Sequence, residues 1–176
     1  MTRTTVDELG KEQRAVFYLG LSEFALSVIR HERHDESGAN AIRQAWRWVG
    51  GADVKAKALL DLNYADDETG IAATMLTEAD PLLRKAWGCV GDAMAFVAYC
   101  AYRLEGAKSI PDMAEIANTP DTYEDFMDRL SAIIPSEEVA GRFADAIKGM
   151  RSDEWTRENV REVVYRIARE CGVAVR

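Results

Sequence analysis

The feature that most constrains this chain is a run over residues 86–102 in which only Asp92 carries a charge. Asp80 is a favourable N-cap residue, Pro81 stands at the first helical position, and a glycine follows the last apolar turn. These signals predict one helix over about 81–105. Its composition leaves three interpretations open: a membrane span with a functional carboxylate, the central helix of a bundle, or part of a site.

A membrane span is the weakest of these interpretations. The apolar window is only 17 residues long and rich in alanine, and a central Asp adds about 2.5–3.5 kcal/mol to the cost of insertion. A helix that is apolar nearly all round is typical of one surrounded by other helices. We therefore predict that Asp92 is a buried structural acid paired with a basic residue, most simply an arginine of another helix. A functional acid remains the alternative.

The rest of the chain shows helical periodicity, and no segment alternates with period two. The segment SIPDMAEIANTPDTYED is interrupted by two prolines and is interpreted as a connector. The length of 176 residues suits one domain. The prediction is an all-α, single-domain helical bundle over 1–176, with about seven helices around the central one. These helices are expected at about 11–34, 39–49, 54–62 (capped by Asp53), 66–79, 121–134, 136–149 and 157–171.

The ends and the cysteines of the sequence suggest a cytoplasmic protein. The polar N-terminus MTRTTVDELGKEQR lacks the apolar core of a signal peptide. The three cysteines form no CxxC pair and are interpreted as reduced, buried thiols.

No catalytic or cofactor motif is present. The chain has no P-loop, no Gly-x-Gly-x-x-Gly and no Gly-x-Ser-x-Gly. The HERH segment places His31 and His34 three residues apart, one short of a zinc-protease helix, and no third histidine exists. We therefore predict a protein that is not an enzyme and binds neither metal nor cofactor. The alternative is an enzyme that binds a metal at Asp92 or at Asp66 and Asp67.

Charge is concentrated in the middle of the chain. The net charge is −8 overall, but residues 64–140 carry −10 and residues 141–176 carry +2. A field of this sign repels nucleic acid and favours cationic partners. The C-terminal arginines do not change this interpretation, because Glu158/Arg161 and Glu162/Arg166 are spaced for ion pairs along a surface helix.

Acidic clusters are the candidate binding surface. The i, i+4 pairs Asp121/Asp125 and Glu124/Asp128 carry like charges, which cost a few tenths of a kcal/mol each, so local stability does not explain them. A solvated face, a docking surface for a basic protein and a divalent-metal site remain open, with exposed tyrosines as interface anchors in the second case. The candidate partner-binding residues are Tyr64, Asp66, Asp67, Glu68, Glu78, Asp121, Tyr123, Glu124, Asp125 and Asp128.

Three segments carry a resemblance to a known family. They are AVFYLGLSEFALSVI, AIRQAWRWV and DPLLRKAWGCVGDAMAFVAYCAY, in this order, with YAD…ETGIA between the last two. In these segments the chain resembles the Immunity protein 6 family, small all-helical antidotes encoded beside polymorphic toxins. The resemblance spans roughly residues 15–134 and leaves the last forty residues unmatched.

The resemblance implies that the chain binds and neutralises a cognate toxin in the cytoplasm of the producing cell, and it assigns no binding residue. Many delivered toxins are basic nucleases, so an acidic antidote is expected to associate quickly with such a toxin. The alternative is a helical adaptor that binds a basic protein without inhibiting it. Neither hypothesis requires nucleic acid, a membrane or a cofactor.

Overall fold

Residues 4–29, 36–65 and 69–174 are described by the computed structural model of the chain, and all regular structure within them is helical. This confirms the predicted all-α bundle around a central hydrophobic helix. The α-helices are α1 (Thr4–Asp7), α2 (Lys11–Ile29), α3 (Glu36–Val49), α4 (Ala56–Asn63), α5 (Ile71–Thr77), α6 (Pro81–Leu104), α7 (Asp112–Glu115), α8 (Pro120–Ser131), α9 (Ser136–Gly149) and α10 (Arg157–Glu170), with 3₁₀ turns at Ile116–Asn118 and Ser152–Glu154.

Helix α6 is the centre of the bundle, with α2, α3, α4, α5, α7 and α8 packed around it. It begins where the sequence indicates: the Asp80 side chain accepts hydrogen bonds from the backbone N–H groups of Leu82 and Leu83. Gly106 follows its end with a φ of +69°, a conformation that glycine adopts without strain. Every residue from Ala86 to Ala101 is buried except Gly91 and Asp92. Within the described part of the chain, no helix has the length and hydrophobicity that crossing a membrane requires.

Helix α2 is the second axis of the core and packs against α6, α3, α9 and α10. At Gly20 an added Cβ would lie 2.7 Å from the ring of Phe143 on α9, so glycine allows the two helices to approach closely. The Ser22 hydroxyl donates to the carbonyl oxygen of Cys89 on α6, at 2.8 Å, which satisfies a buried polar group.

Tertiary contacts explain two local predictions that were wrong. Asp53 does not cap α4: its carboxylate accepts from Lys55 Nζ at 2.6 Å, and Lys55 occupies the N-cap position. The first N–H of α4, that of Ala56, donates instead to Glu105 at the far end of α6, at 2.9 Å. The predicted connector after α6 contains α7 and a 3₁₀ turn, because Ala114 and Ala117 are buried, three residues apart, where this segment packs on α6.

The cysteines are free thiols, and Cys89 and Cys100 are buried as predicted, whereas Cys171, just after the end of α10, is only half-buried. Burial raises the pKa of Cys89 and of Cys100 to about 12 each. Because the thiolate is the reactive form, these two side chains are chemically inert components of the core.

Candidate functional site

The charge inside α6 is paired across the bundle. The Arg129 Nη1 of α8 donates a short hydrogen bond to Asp92 Oδ2, and the side chain of Asp92 is 19% exposed. The stem of Arg129 lies over Gly88, where an added Cβ would be 2.8 Å from Arg129 Cδ. The glycine therefore makes room for the arginine that neutralises the acid one turn further along α6. This contact ties α8 to the centre of the bundle.

Burial controls the protonation of Asp92. It raises the pKa of this carboxyl to about 7, whereas the positive charge of Arg129 lowers it and the nearby Asp125 carboxylate adds a smaller rise. In the unfolded chain the pKa lies near 3.8. Between these values the folded protein holds a proton that the unfolded chain has lost, so the stability that Asp92 contributes is greatest at low pH and decreases as pH rises through this window.

This linkage predicts a pH dependence that the variant Asp92→Asn removes. The free energy of unfolding of the wild type, minus that of D92N, should fall by about 2 kcal/mol between pH 5.5 and pH 8.5, since one pKa unit corresponds to about 1.4 kcal/mol. Urea unfolding of both proteins over this range measures the difference while staying above the pI of about 4.9. A difference that stays constant or rises with pH would show that Arg129 outweighs burial.

Helices α7 and α8 together expose six acidic side chains. Thr119 caps α8, its hydroxyl accepting from the Thr122 N–H. Phe126 and Leu130 are buried in the core. From residue 112 to residue 128 the chain has six acidic residues and no basic one, and all six are exposed. We call this set the acidic face; its members are Asp112, Glu115, Asp121, Glu124, Asp125 and Asp128.

Three carboxylates of the acidic face, those of Asp121, Asp125 and Asp128, have little positive charge beside them within the described part of the chain. Asp125 lies 3.9 Å from Arg129 Nη2, but that arginine is already bound to Asp92. For Asp121 and Asp128, no Lys or Arg within the described ranges lies at ion-pair distance. A partner with positive charge would therefore meet Asp121 and Asp128 as exposed, hydrated carboxylates.

Two of the six acids were missed from the sequence. Asp112 and Glu115 stand in the segment interpreted as a connector, and four-residue helices such as α7 are too short to show a periodic pattern. The signal that could have found them is the charge count itself, because the run without a cation begins at Asp112 and continues to Asp128.

The two candidate tyrosines are half-buried, not exposed as expected. Tyr64 follows the last residue of α4, and its pKa is raised by burial and then by the negative charge of Asp92. Tyr123 borders a cleft of about 80 Å³, whose lining also includes Arg14, Tyr18 and Phe96. Their aromatic rings belong largely to the bundle, so each offers only an edge to a partner.

The remaining candidates lie apart from the acidic face or outside the described residues. Glu78 lies in the turn between α5 and α6, where its carboxylate accepts from the Asp80 N–H at 2.9 Å. Its carbonyl oxygen also accepts from Arg84 Nη2 at 2.7 Å, so a cation already lies beside it. Asp66, Asp67 and Glu68, like the histidines of the HERH segment, lie outside the described residues.

Across the described ranges, no group of three or more His, Cys, Asp or Glu side chains could hold a metal ion. Two of the C-terminal arginines contact other side chains of the protein, though not the predicted ones: Arg161 lies over the ring of Tyr165, 5.1 Å from its centroid. Arg157 donates to Glu23 of α2.

Comparison with known proteins agrees with the resemblance. The family model for Immunity protein Imm6 matches residues 13–133, more than half of the chain, from the start of α2 to just beyond α8. Neither a curated protein nor a solved structure matches the chain. Proteins of this kind are toxin inhibitors and typically not enzymes. The chain belongs to the Imm6 immunity protein family, and this membership implies that it neutralises a cognate toxin.

Proposed function

We propose that the chain neutralises its cognate toxin by binding a basic surface of that toxin with the acidic face of α7 and α8. The observation that carries the proposal is the run from Asp112 to Asp128, which has six exposed acids and no cation. Surface charges of one sign are unfavourable for the folded state, since they repel each other. Association with an oppositely charged protein relieves this repulsion.

The same surface favours a particular class of toxin. An enzyme that cleaves nucleic acid needs a positively charged substrate site, because its substrate carries one negative charge per phosphate. A row of carboxylates on a rigid helix resembles that charge pattern. We propose a basic nuclease as the toxin, with the acidic face covering or flanking its substrate site.

The test is a pair of charge-neutral variants at matched positions. Asp121 is the second residue of α8 and Glu158 the second residue of α10, and a threonine caps each helix through its hydroxyl. The variant Asp121→Asn/Asp128→Asn removes two charges from the acidic face. The control Glu158→Gln/Glu162→Gln removes two charges from α10.

We expect the first variant to associate about 10-fold more slowly with the toxin encoded beside this gene, at low ionic strength, and to show a weaker salt dependence. The α10 control should stay within about 2-fold of the wild type. Stopped-flow association at several salt concentrations measures both effects, and growth on co-expression reports neutralisation. Equal rates for the two variants would exclude the acidic face as the interface.

A further inference from the structure

Apolar side chains are exposed at the end of the acidic face where α7 leads into α8. Met113 is 48% and Ile116 is 59% exposed. The two residues are three apart in a helical segment, a spacing that places them on the same side. In the same segment, Ala114 and Ala117 are fully buried. The segment is thus held by its small residues while its large apolar residues point towards solvent.

The position of this apolar pair relative to α8 is set by hydrogen bonds. The carbonyl oxygen of Ile116 accepts from the hydroxyls of Thr119 and Thr122, at 2.8 Å each. These threonines form the cap and first turn of α8, so the Ile116 backbone is joined to the helix that carries Asp121. Asp112 immediately precedes Met113 and Glu115 immediately precedes Ile116 in the sequence, and both acids are exposed. Two members of the acidic face are therefore direct sequence neighbours of the pair.

We propose that Met113 and Ile116 are the apolar anchor of the toxin-binding surface, and that they contact an apolar patch of the toxin bordered by Lys or Arg. This inference rests on the proposed function and specifies its binding surface. Interfaces typically combine a desolvated apolar centre with a charged rim. Methionine is also well suited to such a surface because its unbranched side chain adapts its shape.

Charge argues against a second copy of the chain as the occupant. Two copies meeting at this patch would bring two sets of six carboxylates together, with no cation between residues 112 and 128 to separate them. Like charges at close range oppose association. A basic partner meets no such barrier, and its cations would pair with the carboxylates that border the patch.

The apolar and the charged residues of this surface should affect different rate constants of toxin binding. Apolar contacts form late, when water is expelled, and mainly slow dissociation, whereas charges mainly accelerate association. The variant Met113→Ser/Ile116→Ser should therefore dissociate from the toxin about 10- to 100-fold faster, with its association rate and salt dependence nearly unchanged. Asp121→Asn/Asp128→Asn should show the reverse pattern.

The matched control is Leu76→Ser on α5. Leu76 is 75% exposed, more than either member of the pair, and it lies in α5, shortly before the N-terminal end of α6. Ile116 lies instead near the C-terminal end of α6, because the side chain of Asn118, two residues later, donates a hydrogen bond to the Tyr99 hydroxyl. Leu76→Ser should therefore leave the dissociation rate within about 2-fold of the wild type. Both serine variants replace exposed side chains, so their unfolding transitions should match that of the wild type.

Surface plasmon resonance with the immobilised toxin domain of the neighbouring gene separates the outcomes. Faster dissociation of the M113S/I116S protein alone supports the anchor. Equal dissociation of that variant, the L76S protein and the wild type would overturn the anchor and leave the acidic face intact. No binding by the wild type would overturn both proposals. A dimer in sedimentation velocity that M113S/I116S abolishes would show that a second copy is the occupant.

Discussion

Stopping the chain after Ile133 is expected to abolish cooperative folding, even though the family match ends there. Helices α9 and α10 lie beyond that residue, and both pack against α2. The ring of Phe143 stacks on that of Phe17, with centroids 6.0 Å apart, and both side chains are fully buried. Removing α9 and α10 would expose a long apolar side of α2 to water, at about 25 cal/mol for each Å² of apolar surface.

Polar contacts between the C-terminal helices and the rest of the chain would be lost too. Glu23 of α2 is largely buried and accepts from Arg157 Nε at 2.8 Å and from Trp46 Nε1 at 2.9 Å. Lys148 of α9 pairs with Glu8 near the N-terminus, at 2.5 Å. Without the C-terminal helices, Glu23 would lose its cation. The chain ends are therefore expected to stabilise each other.

Urea unfolding followed by near-UV circular dichroism tests this expectation on the 1–133 chain. A graded companion, Phe143→Ala in the full protein, should lower the free energy of unfolding by about 3–5 kcal/mol. The control Glu138→Ala, at an exposed position of the same helix, should change it by no more than about 0.5 kcal/mol. A sharp, native-like transition of the 1–133 chain would show that the matched region is a domain by itself, and the single domain over 1–176 would then be wrong.

The second large effect is expected at the ion pair between α6 and α8. Arg129→Met keeps the aliphatic stem over Gly88 but removes the charge that faces Asp92. At pH 8 the isolated carboxylate would have to stay in a largely buried site, or take up a proton against the pH. We expect the free energy of unfolding to fall by about 2–3 kcal/mol, less than for a fully buried pair, because the Arg129 side chain is 30% exposed.

A double-mutant cycle separates the charge from the packing. Adding Asp92→Asn to R129M removes the unpaired acid and should recover at least half of the lost stability at pH 8. At pH 5.5 the cost of R129M alone should be smaller, since Asp92 is then largely protonated in the fold. If D92N makes the R129M protein less stable still, the pair is not a unit, and the packing of α8 on α6 has another origin.

Predictions that depend on interactions within one turn of helix agree with the structure. Predictions that also depend on contacts between distant segments do not. The signals around Asp80 and Pro81 predict a helix over about 81–105, and α6 covers Pro81–Leu104. These signals act within one turn of the chain. Asp53 carries an equally good local signal and fails, because Glu105 provides the acceptor for α4 from the other end of α6. Helix α7 was missed because burial of two alanines against α6, not periodicity, makes it helical.

The candidate binding surface could likewise be predicted from the sequence only in part. Counting charges identifies an acidic chain segment, and helical spacing places Asp121 and Asp125 on one side of α8. Neither argument shows that Tyr123 turns towards Tyr18 and Phe96, or that Glu78 already has Arg84 beside it. Exposure depends on what the rest of the chain places against a side chain. It is therefore a property of the assembled bundle.

The sequence by itself determined the helical class, the limits of the central helix and the family. Helix caps, periodicity and the order of apolar segments depend only on residues that are close together in the chain. Only the tertiary structure decided that Arg129 is the partner of Asp92 and that the six acids of α7 and α8 are exposed together with Met113 and Ile116. Ion pairing requires atoms within about 4 Å, and Asp92 and Arg129 stand 37 positions apart in the chain. That distance is closed by the packing of α8 on α6.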